Sequence, residues 1–106
     1  MSEPLIDEYL GSLQVERGAA LNTLLAYRRD LAGFERFLAH ERRRLDAVAV
    51  SDLSRYLATL RRRGLGSRSV ARHLSAVRGL LRFACREGIL IELRRTEVPV
   101  YRLEIF

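Results

Sequence analysis

The chain has 106 residues, 48% of them hydrophobic, and a formal net charge of +6. This is the length of one domain with a modest core, which excludes a disordered chain and leaves no room for several domains. No apolar run reaches the ~18 residues a membrane span needs, and Met1-Ser2-Glu3-Pro4 lacks a secretion signal's basic and apolar regions, so a soluble cytoplasmic protein is expected.

Residues 3 to about 16 read as a first helix, with Ser2 as its N-cap and Leu5, Ile6, Tyr9, Leu10 and Leu13 at helical spacing. Gly18 marks its end. Its outer face carries Asp7, Glu8 and Glu16, which suits solvent or a basic neighbour rather than a polyanion. Asn22 or Thr23 can cap a second helix that runs to about Glu41 on a stripe of Leu24, Tyr27, Leu31, Phe34 and Leu38. Gly33 weakens this helix and so points to a close helix contact, whereas His40, near its end, reads as a surface residue. After a connection through Arg42-Arg43-Arg44, Ser51 caps a third helix with Leu53, Leu57 and Leu60 inward. Gly64 followed by Leu65 fits a helix-ending glycine with its apolar contact.

Ser67 caps the fourth helix, which continues to about Glu87 and stops at Gly88. At 100° per residue it sorts into two faces. Val70, Leu74, Val77, Leu81 and Ala84 form an apolar stripe, and Arg68, Arg72, Ser75, Gly79, Arg82 and Arg86 fall nearly opposite. Cys85, the single cysteine, excludes an intramolecular disulfide and reads as a small core or boundary residue. From Ile89 to Phe106 the pattern changes to apolar, partly β-branched segments. These fit a short hairpin, an extended tail packed on the helices, or a segment that needs a partner. The organisation expected is thus a helical domain over 1–88 and a tail over 89–106.

No nucleophile with its base, paired carboxylates, metal-ligand set or phosphate-cradling glycine loop is visible, so no catalytic, metal or cofactor site is expected. His73 beside Arg72 suggests a phosphate-handling pair, but adjacent helical positions point about 100° apart, which makes His73 a flank residue between core and solvent. The binding signal is stronger. All 19 basic side chains are arginine, and residues 61–86 hold eight of them without one carboxylate. One-sided basic charge is the electrostatic footprint of a nucleic-acid binder. Arg68, Arg72 and Ser75 at i, i+4, i+7 form one line along a groove. There arginine can take guanine O6 and N7, while Arg78, Arg82 and Arg86 suit phosphates. The start of the second helix, with Asn22 and Thr23, offers amides and polar donors to a phosphate.

Asn22-Thr23-Leu24-Leu25-Ala26-Tyr27-Arg28-Arg29-Asp30-Leu31, followed by Ser69-Val70-Ala71-Arg72-His73-Leu74-Ser75-Ala76-Val77-Arg78, resembles the N-terminal core-binding domain of Xer-type tyrosine recombinases. Ile6-Asp7-Glu8-Tyr9-Leu10 and Ser51-Asp52-Leu53 fit the same family, so the resemblance covers residues 1 to about 88. It implies an all-α fold, an orthogonal, SAM-like bundle of four main helices, forming half of a clamp around a recombination half-site. Carried over, the DNA contacts are Asn22, Thr23 and Arg29 on the second helix and Arg68, Ser69, Arg72, Ser75 and Arg78 on the fourth. Double-stranded DNA is the expected partner, with other recombinase subunits a second candidate. The family's catalytic domain is not supplied by these residues, and 90–106 does not resemble its proline-containing linker. The chain therefore reads as a truncated chain, a gene fragment or a standalone module without activity of its own. The competing expectation is a protein-interaction or dimerisation module whose arginine face is only solvated.

Overall fold

Apolar side chains recurring three and four residues apart dictate helices wherever that spacing persists, and four of them form. A computed structural model describes residues 2–88, which fold as α1 (Ser2–Arg17), α2 (Leu21–His40), a 3₁₀ turn (Leu45–Ala47), α3 (Val50–Arg62) and α4 (Ser67–Arg86). Among the described residues there is no strand, and the architecture is all-α. The hairpin or tail expected over 89–106 lies outside the described residues.

The helix starts differ from expectation by a residue or two. Ala20, Ala49 and Gly66 occupy the N-cap positions of α2, α3 and α4 with extended backbone, so Asn22, Thr23, Ser51 and Ser67 lie inside their helices. Neither α2 nor α4 has a side-chain cap or an acid in its first turn. In α3 the Asp52 carboxylate accepts a hydrogen bond from the Ala49 N–H at 2.8 Å, which takes over the capping role assigned to Ser51.

The ends of α1, α3 and α4 follow the glycines. Gly64, at φ +84°, closes α3 with the paired bonds Leu65 N–H to Leu60 O at 3.3 Å and Gly64 N–H to Arg61 O at 3.0 Å. The end of α2 makes the same two bonds, Arg43 N–H to Leu38 O at 2.8 Å and Arg42 N–H to Ala39 O at 3.1 Å. Here the left-handed position is Arg42, at φ +55°.

The core is a single cluster. Leu5, Ile6, Tyr9 and Leu10 of α1 meet Leu31, Phe34 and Leu38 of α2, Leu53, Tyr56, Leu57 and Leu60 of α3, and Val70, Val77, Leu80, Leu81 and Phe83 of α4. Phe34 meets Tyr56 edge to face, with ring centroids 5.1 Å apart. The buried face of α4 is wider than the expected stripe, because His73, Ala76 and Phe83 are also inside.

The close helix contact lies elsewhere than Gly33. A Cβ there would stand 3.5 Å from Tyr56 Oη, an ordinary distance, whereas one at Gly79 would stand 1.9 Å from Tyr9 Oη. Gly79 therefore belongs to the α1–α4 contact and not to the arginine face. Burial pushes the Tyr9 phenol up to about 12.

Asp52, fully buried, ties the α2–α3 corner. It is bonded to Arg55 and lies 3.1 Å from Arg43 Nε, and Arg55 reaches on to Glu41 at 3.3 Å. The acidic face of α1 finds a basic neighbour: Asp7 pairs with Arg28 of α2 at 2.7 Å.

Candidate nucleic-acid interface

The centre of the candidate surface is a carboxylate that hydropathy places outside the core. Asp30 is 2% exposed and sits where α2 meets α4. Its Oδ2 accepts Arg72 Nε–H at 2.7 Å and its Oδ1 accepts Arg72 Nη2–H at 3.0 Å, a two-bond fork. His73 Nε2 lies 3.2 Å from the same Oδ1, and Tyr56 Oη of α3 lies 3.0 Å from His73 Nδ1.

The roles assign themselves. With Nε2–H donating to Asp30, Nδ1 is left to accept from the Tyr56 hydroxyl, a tautomer inferred from its partners. Burial pushes the Tyr56 phenol up to about 12, which keeps that proton in place. Burial also lowers the His73 pKa from its ordinary 6.5, against the opposing pull of Asp30, so the ring is neutral near pH 7. The hydrogen bonds that Arg72 donates to Asp30 raise its pKa further above its already high value.

Two expectations change. His73 is a core residue at 9% exposure, and not a flank residue. Arg72 and His73 do converge, because the two oxygens of Asp30 bridge the angle between adjacent helical positions. Their convergence is structural: both ring nitrogens and one edge of the guanidinium are occupied.

The other expected contact residues lie as follows. Asn22, Thr23 and Arg29 are exposed on α2. On α4, Arg68 is exposed, Ser69 and Ser75 are half-buried, and the Arg72 side chain keeps 42% of its surface. Arg78 and Arg82 lie near enough to Tyr9 for their charge to act on its phenol, which places them toward α1. Arg86 stands 5.5 Å from the Phe83 ring centroid in a cation–π arrangement. From Leu21 to Phe34 the single acid is the buried Asp30, and α4 has none. The exposed charge of both helices is thus uniformly positive over these stretches.

No set of three or more potential metal ligands occurs among the described residues, and none of their helices is long and apolar enough to cross a membrane. An open groove of about 370 Å³ between Leu57, Leu65, Val70 and Leu74 has Arg61 and Ser67 at its rim and no base beside that serine.

Sequence reasoning missed Asp30, Asp52 and Tyr56. The signal was present: Asp30 follows Tyr27 by three positions and precedes Phe34 by four, so its neighbours on the helix surface are stripe residues. His73 stands in the same relation to Val70 and Val77.

Comparison with known proteins gives a consistent result. Residues 6–88 match the family model for the phage integrase N-terminal SAM-like domain. The chain is 38% identical to the tyrosine recombinase XerD of Pseudomonas aeruginosa, over 97% of its own length and 35% of the relative's. It is 47% identical to XerD of Bradyrhizobium diazoefficiens over 76% of its length and 26% of the relative's. Against XerD of Mycobacterium tuberculosis the figures are 46%, 76% and 29%. The chain thus spans about a third or less of the length of these relatives. No solved structure matches it significantly.

Proposed function

The chain belongs to the family of phage integrase N-terminal SAM-like domains, and we propose that it binds double-stranded DNA as the non-catalytic half of a recombinase clamp. Strand exchange would belong to a longer protein of the kind its XerD relatives represent. Residues 1–88 would form the clamp half, and helices α2 and α4 would grip the recombination half-site. Arg29, Arg68 and the first-turn amides beside Asn22 and Thr23 would hold phosphates, while Arg72 and Ser75 would approach base edges, with Ser69 and Arg78 flanking them. The observation that carries this reading is the Asp30–Arg72 tie. It fixes α2 against α4 where each presents positive charge and no exposed acid.

A second reading, a protein-docking module with a solvated arginine face, draws on Leu21 and Leu25, which are 69% and 50% exposed one turn apart on α2. Fluorescence anisotropy with a labelled duplex separates the two. DNA binding through four phosphate contacts weakens roughly a hundredfold between about 50 and 200 mM salt, and Arg68→Ala lowers the salt slope by about one. No binding at low salt defeats the DNA reading and favours the docking module.

A further inference from the structure

The exposed arginines of α2 and α4 are not equivalent. Arg29 and Arg68 make no ion pair among the described residues, so each presents a full positive charge to solvent. Arg72 is different. Its charge is matched by a carboxylate whose side chain is 3% exposed, and its Nε–Nη2 edge is committed to that carboxylate.

A guanidinium has five N–H donors in one plane. Asp30 takes one from Nε and one from Nη2. What remains is the end-on edge, with two hydrogens on Nη1 and one on Nη2, held in a fixed direction. Asp30 is itself fixed, because His73 and, through it, Tyr56 hold Oδ1 from the other side. A rigid end-on edge suits the paired acceptors O6 and N7 of guanine, which reward geometry. A phosphate rewards charge, and the Asp30–Arg72 pair carries little net charge to offer it.

We propose that Asp30 is a positioning residue for sequence readout: it cancels the charge of Arg72 and aims its free edge, so that Arg72 discriminates bases while Arg29 and Arg68 supply phosphate affinity. The proposal rests on the DNA-binding reading above. It divides the surface into one arginine that selects and others that attract.

The test uses the 106-residue chain and two probes: a duplex selected by this chain from a randomised pool, and a scrambled duplex of equal composition. The readout is the ratio of their affinities, together with the salt slope on the scrambled duplex. In Asp30→Asn the ratio should fall about ten- to a hundredfold, while the scrambled duplex binds as well or better with a slope steeper by about one. Arg72→Lys keeps the charge, loses the fork and sits at the surface, so it remains folded if Asp30→Asn does not. It should lose the ratio in the same way, and the double variant should lose no more than either. An unchanged ratio in a folded Arg72→Lys, or equal losses on both duplexes at constant slope in folded Asp30→Asn, overturns the proposal. A wild-type chain that binds duplex without preferring the selected one also overturns it and leaves the DNA reading standing; a wild-type chain that binds neither duplex overturns both.

Discussion

A methyl group at position 79 probes the contact between the first and last helices. Alanine in place of a helical glycine ordinarily gains up to ~1 kcal/mol. Here the new Cβ would meet Tyr9 Oη at 1.9 Å and Cζ at 2.8 Å, and Tyr9 is 5% exposed with the Phe83 ring 5.8 Å away. Gly79→Ala should therefore destabilise the fold by about 1–3 kcal/mol in urea titrations, and Tyr9→Phe, which removes the hydroxyl, should restore part of the loss. Gly33→Ala should cost little or stabilise, since Tyr56 Oη lies at 3.5 Å. Periodicity put Gly79 among the arginines because a residue without a side chain has no hydropathy to sort. Asp30 and His73 were misplaced for the complementary reason: their polarity outweighed their position. A buried carboxylate depends on its partner, and Arg72 stands 42 positions from Asp30.

At the scale of the element, the four helices were legible from the spacing of Leu, Ile, Val, Phe and Tyr, and their ends from Gly18, Gly64 and Gly88. The starts were less so, since serine and asparagine at a helix start compete with any residue whose backbone is already extended. The end of α2 breaks the glycine pattern. Arg42 holds φ +55° in the same two-bond ending that Gly64 completes for α3. A left-handed L-residue costs about 1–2 kcal/mol, offset partly by the greater entropy glycine loses on folding. Arg42→Gly should thus stabilise the chain by about 0.5–1 kcal/mol, read as a raised urea midpoint at unchanged m. Arg42 makes no ion pair among the described residues, whereas Arg43 beside it is tied to Asp52.

The whole molecule converges on His73, which joins α2, α3 and α4 through Asp30 and Tyr56. Because burial lowers its pKa in the fold, the unfolded chain binds its proton first as the pH falls. The stability it contributes is complete above the unfolded value of 6.5 and is lost as the pH drops below that toward the folded pKa. Asp30 faces the ring from α2 and favours its protonation; Arg72 and Arg63 oppose it; Tyr56 faces it from α3. Urea midpoints measured from pH 7.5 to 5.5 should decline in the wild type and decline less in His73→Gln. A parallel decline in the two would assign the dependence to carboxylates instead. The Tyr9–Gly79 contact bears on the molecule's history as well as its stability. Position 9 leaves the ribosome before position 79, and at about 5–20 residues per second the interval is roughly 4–14 s. For those seconds the side of α1 that receives Gly79 has no counterpart, so a nascent chain stalled before α4 would expose an apolar strip for chaperones to find.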